Sequence, residues 1–212
     1  MSDPAPLLPS HVETERLRLT PRTPAHVDTG ALYRICSSEG MEEVTKWMPW
    51  SAHETPNETH EFLEDGREAW DEATSAAYVV RPGPEEDGAG EIAGAADLHL
   101  DWERRVGTLG LWLRRRFWGR GYSGERAAAM VELAFDRLGL EVVRVSHDPR
   151  NGNSRRAIER YVDRLGGRRD GTFRRIHPDP DETAVDQTYY SIDRDDWRDA
   201  VGDERVATVR WG

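Results

Sequence analysis

The sequence predicts one α+β domain with a mixed sheet of about seven strands. Three observations carry this expectation. Segments with period-two and period-3.6 apolar patterns follow one another along the chain, and residues 107–146 read as strand, glycine loop, helix and strand. The chain of 212 residues is also long enough for one substantial core, and 37% hydrophobic residues supports a folded chain.

Residues 1–12 read as a flexible start, residues 13–198 as the single domain, and residues 199–212 as a tail without a functional reading. Glu13–Thr20 alternates Leu17 and Leu19 with Arg16 and Arg18, the pattern of a first strand. Thr23 before Pro24 reads as an N-cap followed by proline at the first helical position, with Val27, Ala31, Leu32 and Ile35 as the buried stripe. Trp47, Met48, Pro49 and Trp50 fit the wall of a substrate pocket and fit core packing or a loop clasp equally well. Thr55-Pro56-Asn57-Glu58 is a capping box that opens a helix to about Trp70, burying Phe62, Leu63 and Trp70.

Residues 76–80 read as a short strand and 82–90 as a polar hairpin loop. Glu91–Leu100 is the next strand, and its period of two places Asp97 and His99 side by side on one face. If that face lines a cleft, either group could take a proton from a bound ammonium group, directly or through water; otherwise it is a hydrated sheet edge. A turn at Asp101–Arg105 leads antiparallel into the strand of Leu109, Leu111 and Leu113. Arg114, Arg115 and Arg116 follow, then Gly119, Gly121 and Gly124, then a helix with Ala127, Met130, Val131, Ala134, Phe135 and Leu138 on one face, ended by Gly139. Glu141–Ser146 is a strand, parallel to the one before the loop because a crossover of this length requires it. The segment His147–Ser154 opens a helix bearing Ala157, Ile158, Tyr161, Val162 and Leu165. Thr172–Ile176 and Gln187–Ile192 read as the last strands, joined by an acidic loop.

The net charge of -11 argues against a general nucleic-acid-binding surface. Lys46 is the one lysine, and 40 acidic against 29 basic residues suits a cytosolic protein of a high-salt organism, while a high-GC codon bias would also deplete lysine. Cys36, the single cysteine, excludes an internal disulfide, fits a reducing compartment and reads as filler on the first helix. No apolar run reaches the roughly 20 residues of a membrane span, and Met1–Ser10 has no signal pattern, so a soluble cytoplasmic protein is expected. The seven histidines lack metal-ligand spacing, so no metal is expected.

The glycine loop carries the chemistry. It directs unpaired N–H groups and the positive end of a helix dipole at one place, where a phosphate is stabilised. Gly119-Arg120-Gly121-Tyr122-Ser123-Gly124 satisfies G-x-G-x-x-G, but five residues separate strand from first glycine, and Glu141 opens the next strand instead of closing it. A dinucleotide unit therefore fits poorly, and nothing reads G-K-[ST].

Arg116-Phe117-Trp118-Gly119-Arg120-Gly121 instead resembles the [RQ]-x-x-G-x-[GA] pyrophosphate loop of the GNAT superfamily of N-acetyltransferases. Trp118, Tyr122, the Asn151-x-x-Ser154 segment and the YYSIDRDDW ending resemble its ribosomal-protein-alanine N-acetyltransferase branch. The resemblance spans about residues 13–198. It implies a GNAT fold of α/β/α type, a mixed, mostly antiparallel central sheet with helices on both faces and a splayed central parallel pair, and acetyl-CoA as co-substrate. Leu111, Trp112 and Leu113 would bind pantetheine, and the stretch Gly119–Ser123, including Tyr122, would hold the pyrophosphate with Arg116 and Arg120. Asn151 would contact the cofactor or cap its helix, and Ser154, or else Tyr161, would protonate the CoA thiolate. Thr108 stands where family members often carry a glutamate, which leaves Asp97 and His99 as candidate bases, and Arg168 replaces the usual phenylalanine after Gly167. The implied acceptor is a primary amine such as a protein N-terminus, a ribosomal protein included, and the chain a monomer or homodimer. The alternatives are a small-amine or aminoglycoside acetyltransferase and a catalytically idle acyl-CoA sensor.

Overall fold

A computed structural model describes residues 7–177 and 184–210. Its strands are β1 His11–Glu13, β2 Leu17–Pro21, β3 Ser75–Pro82, β4 Gly94–Asp101, β5 Val106–Leu113, β6 Val142–His147, β7 Arg168–His177, β8 Val185–Asp193 and β9 Thr208–Arg210. Its helices are α1 Thr29–Cys36, α2 Met41–Thr45, α3 Pro56–Asp71, α4 Tyr122–Glu132, α5 Gly152–Arg164 and α6 Arg194–Val201, with a π-helical turn at Leu133–Arg137 closing α4.

All nine strands form one sheet in the order β7-β8-β6-β5-β4-β3-β2-β1-β9. Among the described residues β5–β6 is the parallel pair, and its register runs from Val106 opposite Val142 to Leu109 opposite Val145. Beyond that point β5 stays on β4 to Leu113, and β6 stays on β8 to His147. The two strands thus part in the middle of the sheet, as the resemblance implies.

Helices cover both faces. Under α4 and α5, Ala127, Met130 and Ile158 pack on Leu98, Leu109 and Val145. On the other face Leu32 of α1, Met41 of α2 and Leu63 of α3 meet Val79, Ala95 and Trp112. The second layer opens as expected: the Thr55 side chain and Glu58 form the reciprocal capping box, with proline in the first turn of α3.

The sheet has nine strands where about seven were expected. The stretch read as one first strand is a hairpin, because Thr14 closes a turn through its N–H on the Leu17 carbonyl at 2.9 Å and Val12 then lies opposite Leu19. Residues 8–12, read as loose, are held: Leu8 and Val12 are buried and the Tyr78 hydroxyl donates to the Pro9 carbonyl. The tail supplies β9, which pairs with β1 at the sheet edge. The helix expected from Thr23 begins instead at Thr29, where the Asp28 carboxylate accepts the Ala31 N–H at 2.7 Å; Thr23 makes only a turn, its carbonyl taking the His26 and Val27 N–H groups. Likewise β4 starts at Gly94 rather than Glu91, whose N–H closes a turn on the Gly88 carbonyl at 3.0 Å. The acidic loop expected before the last strand lies largely outside the described residues.

Candidate functional site

The site grows from the end of β5. The Arg114 N–H donates to the Ala93 carbonyl at 2.8 Å, so by the period of two the backbones of Trp112 and Gly110 also face β4. Leu111 and Leu113 therefore turn their N–H and C=O groups toward the gap left by β6. The indole N–H of Trp118 donates to the Leu113 carbonyl at 2.7 Å and folds the following turn back onto the strand end. Leu111 remains in the gap with its backbone facing outward; the Trp112 side chain is buried on the opposite face.

The turn then reaches the loop. Gly119 and Gly121 lie at φ of 77° and 82°, in the left-handed region where glycine carries no Cβ penalty. A Cβ on Gly119 would meet nothing within 4 Å, so the loop has an open side. Gly121 is the N-cap of α4 and has no side-chain cap; the Gly124 and Glu125 N–H groups bond to its carbonyl. The Tyr122 and Ser123 N–H groups lie ahead of those bonds and, with the helix dipole, provide an anion-binding end. This open, uncapped cradle fits a diphosphate.

The loop arginines have partners. Arg120 binds the Asp87 carbonyl and carboxylate at 2.9 and 2.8 Å, and Arg116 binds Glu91 at 2.9 Å; both are exposed or half-exposed. The Tyr122 hydroxyl donates to Glu86 at 2.6 Å. The hairpin loop before β4 thus holds all three side chains. Their guanidinium charges lie beside the cradle, already shared with carboxylates.

Asp97 and His99 share the α1–α3 face, as the alternation predicts. One Asp97 oxygen accepts from buried Arg22 at 2.9 Å, and Arg22 also binds the Phe62 carbonyl and lies 3.8 Å over the Phe62 ring. The other, Oδ2, and His99 Nε2 each lie 3.8 Å from where a Cβ on Gly110 would stand. The missing side chain of Gly110 therefore leaves a space flanked by both candidate bases, one residue from Leu111. Glycine at 110 was not among the residues singled out; its position opposite Asp97 in the β4–β5 register was the available signal.

On α5, Asn151 is the N-cap: its Oδ1 accepts the Ser154 N–H at 3.0 Å. Ser154 is half-buried in the first turn. Tyr161 is buried two turns on, its Cβ 3.6 Å from where a Cβ on Gly124 would stand. Burial pushes its hydroxyl up to about 12, against the opposing pull of Arg126. Arg126, on α4, is 2% exposed, and its Nε has no hydrogen-bond partner. Burial lowers its pKa, while the charges of Tyr161 and Asp97 act the other way. Sequence reading missed Arg126 because it interrupts an apolar stripe, although it stands four residues from both Tyr122 and Met130.

The two tryptophans separate. Trp50 packs on Trp112 at 5.6 Å and on Phe62 at 6.3 Å, which is core packing; Trp47 lies under Lys46 and Arg150 at 4.9 and 5.1 Å. Among the described residues no group of three His, Cys, Asp or Glu side chains could hold a metal ion. Nor is any helix among them long and apolar enough to cross a membrane.

Comparison with known proteins places this geometry among similar ones. The family model described as acetyltransferase (GNAT) domain matches residues 16–161. A GCN5-related N-acetyltransferase from Brucella melitensis has the same fold with a TM-score of 0.74 at 23% identity, covering 92% of this chain and 84% of that one. The microcin C7 self immunity acetyltransferase MccE, solved with acetyl-CoA and AMP, superposes with a TM-score of 0.71 at 16% identity over 84% and 92% of the two chains. The ribosomal-protein-S5-alanine acetyltransferase from Vibrio fischeri gives 0.70 at 18% identity, over 88% and 98%.

Proposed function

Because the chain belongs to the family of acetyltransferase (GNAT) domains, we propose that it moves an acetyl group from acetyl-CoA to a primary amine, the α-amine of a protein or peptide N-terminus, by direct transfer in a ternary complex. The observation that carries this reading is the uncapped N-terminus of α4, which follows in the chain the strand end at Leu111 whose backbone turns toward the gap beside β6. The acetyl-CoA of MccE and the acceptor named for the Vibrio fischeri protein support the donor and the acceptor class respectively.

Acetyl-CoA, when bound, supplies an activated thioester. The N–H groups of Gly121, Tyr122 and Ser123 bind the diphosphate, and Arg116 and Arg120 add charge beside it. The backbone of Leu111 pairs with the pantetheine amide and offers its N–H to the thioester carbonyl as negative charge develops there. The acceptor amine enters over Gly110. His99 Nε2 takes its proton, directly or through water, because an ammonium has no lone pair to attack with. Asp97, tied to Arg22, holds negative charge beside the incoming cation. Ser154 returns a proton to sulfur, and Asn151 fixes the first turn of α5 that carries it.

The test is acetyl-CoA turnover measured against peptide N-termini, polyamines and aminoglycosides. Peptide α-amine acetylation is expected. Turnover confined to small amines would overturn the acceptor, and binding of CoA with no turnover on any amine would leave an acyl-CoA sensor.

A further inference from the structure

Arg16 lies in the turn before β2, 109 residues from Glu125 of α4 in sequence, yet its side chain is built into the glycine loop. Its Nε donates to Glu125 Oε2 at 2.8 Å, and its backbone N–H donates to Glu125 Oε1 at 2.7 Å. Nη2 stands 2.7 Å from the same carboxylate, and the Thr14 hydroxyl donates to Oε1 at 2.5 Å. The remaining Nη1 donates to the Arg120 carbonyl at 2.9 Å. A Cβ on Gly121 would lie 3.2 Å from Nη2, so the guanidinium is packed against the loop backbone. Two consequences follow from chemistry. Glu125 sits in the first turn of α4, where its charge would oppose an incoming diphosphate; a bidentate guanidinium neutralises it. The peptide joining Arg120 to Gly121 is trans and planar, so fixing its carbonyl on Arg16 turns the Gly121 N–H to the opposite side.

We propose that Arg16 is a positioning residue of the CoA site, holding the Arg120–Gly121 peptide with its N–H outward and cancelling the Glu125 charge so that the loop accepts a diphosphate. The inference rests on the proposed acyl-CoA reading. It also makes the N-terminal hairpin part of the cofactor site, although its own sequence reads only as a strand.

The test is calorimetric titration of CoA into the full-length wild type, Arg16→Met, Arg16→Lys and the double variant Arg16→Met with Glu125→Gln, each with a thermal melt. Arg16→Met should weaken CoA binding by about 10- to 100-fold, the scale of losing hydrogen bonds to a charged group. Arg16→Lys should fall between it and wild type, since it keeps charge without the fork. Adding Glu125→Gln should restore part of the loss. Wild-type affinity in a folded Arg16→Met protein would overturn the proposal, as would no recovery in the double variant. Should Arg16→Met fail to fold, the lysine variant decides alone, and wild-type affinity there would overturn it. Failure of the wild type itself to bind CoA would instead remove the underlying acyl-CoA reading.

Discussion

Ser154 and Tyr161 offer the sharpest contrast between single residues. Both stand on α5, but Ser154 is in the half-buried first turn, whereas Tyr161 is sealed against α4. Ser154→Ala should lower kcat by about 100-fold or more with little change in CoA affinity, the scale of losing a positioned proton donor. Tyr161→Phe should cost less in turnover; a larger loss there, with Ser154→Ala near wild type, would exchange the roles. The buried hydroxyl also has a signature in stability. Its folded pKa of about 12 exceeds that of an exposed tyrosine near 10. Its stabilising effect is therefore complete below pH 10 and is lost as pH rises from about 10 through 12, because the unfolded chain ionises first. Tyr161→Phe should flatten the alkaline fall of Tm over that window. Cys36, read as filler, is fully buried and its thiol is pushed up to about 12 by burial, which agrees with packing rather than chemistry.

Among the elements, the β4–β5 pair is the frame of the site, and Gly94 is its tightest point. A Cβ there would stand 2.0 Å from the Trp112 carbonyl oxygen, which belongs to the strand itself and cannot rotate aside. Gly94→Ala should destabilise the protein by about 3 kcal/mol or more, read in a denaturant titration, and a loss under 1 kcal/mol would mean the strands can separate there. What was legible in the sequence follows the same division between local and distant causes. The β5–loop–α4–β6 run could be read because strand period, glycines at positive φ and helix period are all properties of short windows. The capping box of α3 could be read for that reason too. The start of α1 could not: Thr23-Pro24 is a valid local signal, and Asp28 outcompetes it only because the chain must first turn off β2. Arg16, Gly110 and Arg126 were missed because each acts on partners brought near by the fold.

The whole molecule is closed by its ends. β1, drawn from the N-terminal hairpin, receives β9 at the sheet edge, and Arg205 ties the approach to β9 to Asp136 at 2.6 Å while lying over Trp197. Glu132, at the end of α4, accepts the Val206 and Ala207 N–H groups at 2.8 and 3.3 Å. Burial raises its pKa, and these two hydrogen bonds only partly oppose the shift. A carboxyl whose folded pKa is raised stabilises most below its unfolded pKa, and that contribution disappears as pH climbs through the folded value. Glu132→Gln, which keeps an acceptor oxygen and removes the charge, should therefore raise Tm at neutral pH and leave it nearly unchanged in acid; a lower Tm at neutral pH would show that the charged form is the stabilising one. The same open sheet parts at its centre beyond Leu109 and Val145, and the account stands on that opening being an acyl-CoA site. The most direct measurement is titration of acetyl-CoA into wild type and into Gly121→Val, whose φ of 82° and contact with Arg16 leave no room for a branched side chain. Saturable one-to-one binding by the wild type, abolished in a variant with an unchanged circular dichroism spectrum, is the predicted result. No binding by the wild type, or equal binding by both, would contradict it.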